Sequence, residues 1–313
     1  MTEPPRRTIL IAGPTASGKS ALALCLARRL GGTVINADSM QVYCELRIVT
    51  ARPSPADEAS VPHALYGFVP SADAYSAGRY GADAAAAVAA ARSAGRVPIV
   101  VGGTGLYFRT LLQGLSAIPP VPEEVRAKWR SIGAEVDGSA RLYEALAQLD
   151  PAMAARLAPG DRQRVTRALE VLEATGRSLA HWQAEPGAPI LTEDETVRLW
   201  LDLDRSRLYH RVGERLEGMI AAGALDEVGR LLSLGLDPGL PAMRAVGVPE
   251  FARHLAGELS IDEALDLAKI ATRQYVKRQM TWARRNMCSW KHINAQDMQR
   301  IFDGDVTLID SPS

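Results

Sequence analysis

The chain has 313 residues with 36 basic and 36 acidic side chains, so its formal net charge is zero. That length accommodates one sizeable α/β domain and a smaller module, and the neutral total excludes a global attraction to nucleic acid, leaving only local segregation of charge. Cys25, Cys44 and Cys288 have neither paired spacing nor histidines placed for zinc, and no apolar run reaches signal-peptide or membrane-span length. The expectation is a cytoplasmic protein with ordinary thiols, no structural metal, no membrane association and no mark of an obligate protein partner.

In chain order, Ile9 to Ala12 forms an apolar run that predicts a buried strand. Directly after it, Gly13-Pro14-Thr15-Ala16-Ser17-Gly18-Lys19-Ser20 fits G-x-x-x-x-G-K-[ST], and a helix follows over Ser20 to Leu30 with Leu22, Leu26 and Leu30 on one side. Strand, glycine-rich loop and helix in that order predict a phosphate site: backbone N–H groups and the helix N-terminus face an anion, Lys19 adds a charge and Ser20 a hydroxyl for Mg²⁺. Thr33 to Ala37 predicts a second buried strand ending at Asp38, Gly81 to Ala94 a helix, and Val97 to Val101 a third strand leading into Gly102-Gly103-Thr104. In a parallel sheet these strand ends share one edge, where ligands of open α/β sheets bind.

From Pro119 the character changes. Ile118 to Pro122 reads as a linker, and only helical patterns follow to about Gly176, with helix starts at Asp150-Pro151 and Pro159-Gly160-Asp161 and an apolar stripe of Val165, Leu169 and Leu172. Thr196 to Leu203 alternates as a strand, and from Arg205 most of the remainder reads as helices. The fold class expected is α/β: a P-loop NTPase-like parallel sheet core over residues 1–118 and 192–313, with a helical insertion domain over 119–191.

Phosphate-loop switches and motors need a Walker-B acid at the end of an apolar strand, but the Val97 to Val101 strand ends in Gly-Gly-Thr, and no Asn-Lys-x-Asp stretch reads guanine. A nucleotide-gated module is therefore disfavoured. Asp38 suits a general base or metal-linked acid facing phosphates, as in small-molecule kinases that use ATP and in other group-transfer enzymes; the competing reading is an aspartate that caps the next turn. Residues 268–296 hold Lys269, Arg273, Lys277, Arg278, Arg284, Arg285 and Lys291 with no acid, interleaved with Tyr275, Trp282 and Trp290. That mixture suits phosphate contacts and stacking on unpaired bases, and Arg162, Arg164 and Arg167 form a second basic cluster in the insertion.

Several motifs in one order then resemble the tRNA dimethylallyltransferases: the phosphate loop, Asn36 to Tyr43, Thr50-Ala51-Arg52-Pro53, Ala74-Tyr75-Ser76, Val101 to Phe108, Asp161 to Glu170, Arg244 to Gly247 and Ala271 to Trp282. The resemblance runs from about Arg7 to Trp290 and is closest to the short bacterial form. It implies transfer of a dimethylallyl group from dimethylallyl diphosphate to the exocyclic N6 amine of the adenosine 3′ of the anticodon in tRNA, with Mg²⁺. It implies a catalytic set of Asp38, Lys19, Thr104 and Arg215, with Asp38 the base. The diphosphate falls to Gly13, Pro14, Thr15, Ala16, Ser17, Gly18, Lys19 and Ser20, with Ser20 at the metal. The tRNA anticodon stem-loop is expected on Asp38, Ser39, Met40, Gln41, Thr104, Arg126, Gln163, Arg164, Val165, Thr166, Arg167, Arg273 and Lys277. Val49 stands where the family usually has glycine, and Val248-Pro249 where it usually has an aromatic-basic pair.

Overall fold

The computed structural model describes residues 7–185 and 187–310, so the outermost ends of the expected core lie outside the described residues. In chain order the elements are β1 (Thr8–Ala12), α1 (Lys19–Leu30), β2 (Gly32–Asn36), α2 (Pro55–Ser60), β3 (His63–Ala64), α3 (Ala77–Ser93), β4 (Val97–Gly102) and α4 (Gly105–Gln113). Then come α5 (Glu123–Ala134), α6 (Gly138–Leu149), α7 (Pro151–Ala154), α8 (Arg162–Thr175), α9 (Leu179–Ala184), β5 (Thr196–Leu201) and α10 (Arg205–Ala221). The chain closes through α11 (Ala224–Ser233), α12 (Val248–Leu255), α13 (Ile261–Asn286), β6 (Lys291–Ile293), α14 (Ala295–Asp303) and α15 (Thr307–Asp310).

The six strands form one parallel sheet in the order β3-β2-β4-β1-β5-β6. β1, β2 and β4 are buried along their whole length, as expected of strands covered by helices on both faces. Their side chains alternate between two cores. Leu10, Ile35 and Val100 join one apolar cluster, while Ile9, Ile11, Val34, Ile99 and Val101 join the other with Leu22 and Leu26 of α1. Because all the pairings are parallel, the loops after β1, β2, β4 and β5 leave from one edge.

Residues up to Leu112 together with those from Ile190 onward form one compact unit, and Gln113–Pro189 form the other. Both boundaries fall earlier than the expected 119 and 191: Ile190 and Leu191 donate their backbone N–H groups to Leu111 O, which ties the returning chain to the sheet unit before the strand begins. The smaller unit is helical, α5 to α9, around Trp129, Leu142, Leu146, Met153, Val165, Ala168, Leu169 and Val171. Leu172 of the expected stripe is only half-buried, and Val171 fills the core instead.

Three expectations change in detail. α3 begins four residues earlier than the alanine run, because the Ser76 hydroxyl accepts the Arg79 N–H and caps a first turn that contains Gly78. The alternating segment after Thr196 leaves the sheet at Leu201. β3 and β6 were not anticipated, being edge strands of two and three residues, too short to show any period.

Candidate active site

The loop after β1 is built for close approach. Gly18 caps α1 in the left-handed region at φ 91°, and a Cβ on Gly13 would stand 2.9 Å from Ser17 Oγ and 3.1 Å from Leu201 Cβ. Thr15 N–H donates to Gln279 Oε1 (3.0 Å) and Ser17 N–H to Pro14 O (3.3 Å). The N–H groups of Ala16, Gly18, Lys19 and Ser20 take no protein acceptor among the described residues, which leaves four donors and the α1 N-terminus for an anion. The Ser17 hydroxyl is fully buried without a partner, and Ser20 is exposed. Lys19 Nζ rests 3.3 Å from Pro14 O.

Asp38 lies just past β2, held from behind by Asn36, the last residue of that strand. Asn36 is fully buried; its Oδ1 accepts the Asp38 N–H (2.8 Å), and its Nδ2 donates to Asp38 O (2.9 Å) and Leu65 O (3.0 Å). Asp38 Oδ1 accepts the Met40 N–H at 3.0 Å, so the turn-capping role is real, yet it uses only one carboxylate oxygen. Among the described residues Oδ2 has no hydrogen-bond partner and is available to a substrate. Thr104 Oγ1 accepts the Ser39 N–H (2.9 Å) and lies 3.2 Å from Ser39 Oγ, while Thr104 N–H donates to Ala37 O (3.2 Å). The β2 and β4 ends are thereby stitched together, at a separation so small that a Cβ on Gly102 would fall 2.0 Å from Ala37 O.

Arg215 of α10 reaches Thr15 Oγ1 with Nη1 (3.1 Å) and Thr50 O with Nη2 (3.5 Å). Thr50 O and Ala51 O also accept from Gln41 Nε2, at 2.9 and 3.0 Å. The loop carrying them is clamped by Glu227, buried in the first turn of α11, whose carboxylate accepts the N–H groups of Arg47, Ile48 and Val49 at 2.8 to 2.9 Å. Val49 therefore has a defined place: its amide meets Glu227 and its side chain packs beside Gly247, where an added Cβ would be 3.1 Å away. Pro249 falls in the first turn of α12, where a missing N–H costs nothing. Glu227 and Asn36 each left a trace in the sequence, an acid within the buried stripe Ala224, Val228, Leu231 and an amide inside an apolar strand.

The electrostatics of this edge are those of a dry anion site. Burial lowers the Lys19 ammonium to about 8, opposed by the nearby Asp38 charge and assisted by Arg215. Burial also lowers Arg215, with Asp38 again opposing. Tyr66, Tyr107 and Tyr275 are pushed up, first by burial and then by the Asp38 charge, so their hydroxyls stay protonated. No group of three or more His, Cys, Asp or Glu among the described residues is arranged to hold a metal ion.

The other expected contacts divide between the units. In the sheet unit, Ser39, Met40 and Gln41 are half-buried beside Asp38. On α13, Arg273 and Lys277 are exposed; the Arg273 guanidinium sits 5.4 Å from the Tyr209 ring centre, and Lys277 has no ion pair among the described residues. Lys269 is neutralised by Glu217 at 2.9 Å, an acid from α10 that the segment's own composition could not reveal. Trp290 is core, edge-on to Phe108, and Trp282 packs against Gly105; of the three interleaved aromatics, Trp290 is closed to a base. In the insertion, Gln163 and Arg164 are exposed and Thr166 and Arg167 half-buried, but the Val165 side chain is wholly buried and its N–H donates to Asp161 O at 3.0 Å, so neither group is free for the expected contact. Arg164 pairs with Asp161, Arg167 with Glu170 and Arg126 with Glu123.

With this geometry in hand, the comparisons with known proteins are specific. The family described as IPP transferase matches residues 41–286, and that described as isopentenyl transferase matches residues 6–63. The chain belongs to the IPP transferase family. It is 54% identical over 289 residues to a tRNA dimethylallyltransferase of Rhodopseudomonas palustris, covering 92% of this chain and 90% of the relative. It is 52% identical to one from Nitrobacter hamburgensis, covering 93% and 92%. Among solved structures, the tRNA delta(2)-isopentenylpyrophosphate transferase of Staphylococcus epidermidis superposes with a TM-score of 0.67 at 30% identity, over 97% of this chain and 99% of that one. A eukaryotic dimethylallyltransferase acting on tRNA gives a TM-score of 0.78 at 28% identity, over 97% of this chain and 77% of that one.

Proposed function

We propose that this member of the IPP transferase family transfers a dimethylallyl group from dimethylallyl diphosphate to tRNA, at the N6 amine of the adenosine immediately 3′ of the anticodon, releasing diphosphate in the cytoplasm. The observation that carries this reading is the pairing, on one sheet edge, of four loop N–H donors with an Asp38 oxygen, none of which has a protein partner among the described residues.

The chemistry follows from that pairing. The adenine amine is a poor nucleophile because its lone pair is delocalised into the ring. As its nitrogen bonds to the allylic carbon, Asp38 Oδ2 takes the N6 proton, a contribution of about 10² to 10⁴-fold for such a base. The carbon–oxygen bond to diphosphate breaks and its electron pair goes to the leaving oxygen. Lys19, Arg215 and the amides of Ala16, Gly18, Lys19 and Ser20 stabilise that charge where water is scarce. The exposed Ser20 hydroxyl would hold Mg²⁺ arriving with the diphosphate, a single protein donor that suits an ion keeping several of its waters. Bound there, Mg²⁺ would add Lewis-acid stabilisation of the leaving group. The target adenine has to leave its stack, which costs least in a single-stranded loop.

No helix among the described residues is long and apolar enough to cross a membrane. The test uses labelled dimethylallyl diphosphate and unmodified tRNA, with and without ATP. Transfer to tRNA with Mg²⁺ alone, competed by inorganic diphosphate, is expected; an absolute ATP requirement with consumption of the γ-phosphate would instead assign a kinase.

A further inference from the structure

One buried polar side chain at this edge belongs to neither substrate pocket directly. Gln279, three quarters of the way along α13, is 8% exposed, and both ends of its amide are engaged with backbone. Oε1 accepts the Thr15 N–H of the phosphate loop at 3.0 Å, and Nε2 donates to Gly103 O at 3.0 Å. The amide orientation is forced, because an N–H requires an acceptor and a carbonyl a donor. The approach is so close that a Cβ on Gly103 would fall 2.2 Å from Nε2. One turn earlier on the same face is Tyr275, whose hydroxyl burial and the Asp38 charge keep protonated.

We infer that Gln279 is a positioning residue that couples the diphosphate loop to the Gly103–Thr104 segment, and so sets the separation between the leaving diphosphate and the base Asp38. The two sides follow the paired ends of β1 and β4, where Ala12 stands opposite Gly102, and beyond that last pair each loop is held by its own partners. Thr15 carries the hydroxyl that meets Arg215, and Thr104 carries the hydroxyl that meets Ser39 beside Asp38. By occupying the Thr15 N–H, Gln279 also leaves the diphosphate to the four later amides of the loop. Only glutamine supplies an acceptor and a donor at this reach: glutamate loses the donor, asparagine is one methylene short, and leucine loses both bonds. Displacing reacting groups by about 1 Å is enough to cost on the order of 10²-fold in rate.

This inference rests on reading Gly13 to Ser20 as the diphosphate cradle, and the experiment separates the two. Inorganic diphosphate is first tested as a competitor of dimethylallyl diphosphate in the wild-type protein. Gln279→Leu and Gln279→Glu are then compared with wild type for kcat with saturating tRNA between pH 6 and pH 8, and for tRNA affinity. Gln279→Leu should lower kcat roughly 10 to 100-fold with tRNA affinity unchanged. In Gln279→Glu a protonated carboxyl restores both bonds, whereas the carboxylate faces the Gly103 carbonyl with no proton to donate. The ratio of its kcat to that of wild type should therefore rise by roughly tenfold as the pH falls through that window. Dividing by wild type removes titrations common to both, Lys19 included, and a merely structural glutamine would give no such rise. A flat ratio, at whatever level, overturns the inference even if Gln279→Leu fails to fold. Failure of diphosphate to compete in the wild type overturns the cradle reading and this inference with it.

Discussion

At the carboxyl edge of the sheet each side chain the chemistry needs is held by another group, while Arg164 on α8 and Arg273, Lys277 and Arg284 on α13 are exposed to solvent. Asp38 is fixed through Asn36, Thr104 through Ser39, and Arg215 through Thr15 and Thr50. Arg273, Lys277 and Arg284 are exposed and share one stripe of α13, since positions 4 and 11 residues apart return to nearly the same angle at about 100° per residue. The opposite stripe carries Tyr275, Gln279 and Trp282, two of them bonded or packed against the β4 end. One helix thus serves both purposes: position on one face, free charge on the other. Damage to the edge should appear in turnover, and damage to the exposed stripe in tRNA affinity and its salt dependence.

The largest effect expected is at Asp38. Asp38→Ala should reduce kcat by roughly 10² to 10⁴-fold while donor competition by inorganic diphosphate stays nearly unchanged. A loss confined to KM, with kcat intact, would break the contrast by making Asp38 a binding residue. Asn36→Ala comes next. It deletes the two hydrogen bonds that fix the Asp38 backbone and a third to Leu65 O without removing the carboxylate, and kcat should fall on the order of 10²-fold with tRNA affinity retained. Retained kcat would show that the Met40 turn alone holds the base.

The pH dependence sharpens the same contrast at Lys19, lowered by burial to about 8. The charged form faces the diphosphate, so kcat/KM for the donor should fall as the pH rises through 8, by up to about tenfold per unit above it. Bound diphosphate favours the ammonium, which moves the corresponding fall in kcat to higher pH. The stability sign is opposite: the unfolded chain binds more protons between about pH 8 and the ordinary lysine value near 10.4, so this residue's contribution improves as the pH rises across that window. Lys19→Met should abolish both trends. A donor profile unchanged in Lys19→Met would assign the titration to another group.

The parts of this site visible in the sequence are those that obey local rules. The phosphate loop announces itself by glycines at fixed spacing, and Asp38 by ending an apolar run. What escaped are the residues whose partners lie far along the chain. Gln279 is 264 residues from Thr15, and Glu227 is 178 residues from Val49; each looks like one more polar residue on an amphipathic helix until the fold supplies its partner. β3 and β6 escaped because two or three residues cannot display a period of two. The basic clusters were countable, but counting could not show that Glu217 silences Lys269 or that Trp290 is core.

That last limitation motivates the smallest prediction, which compares the two basic surfaces with each other. On α13, Lys277 has no carboxylate partner among the described residues, whereas on α8 Arg164 is paired with Asp161, an acid that also caps the helix by accepting the Arg164 N–H. A phosphate that meets Lys277 gains a free charge; one that meets Arg164 has to draw it from Asp161. Lys277→Ala should therefore weaken tRNA binding and shallow its log-log salt slope by about one contact, roughly 0.7 to 0.9. Arg164→Ala should cost less affinity. Asp161→Asn is the discriminating variant, since asparagine keeps the cap while releasing Arg164. An exposed pair is worth about 0 to 1 kcal/mol, so binding should tighten by no more than roughly fivefold, with a slightly steeper slope. Affinity measured across a salt series, with circular dichroism to confirm folding, decides the matter. Equal losses in Lys277→Ala and Arg164→Ala with no gain in Asp161→Asn would erase the difference between the surfaces, and no loss in either alanine variant would make both of them solvated faces without a part in RNA binding.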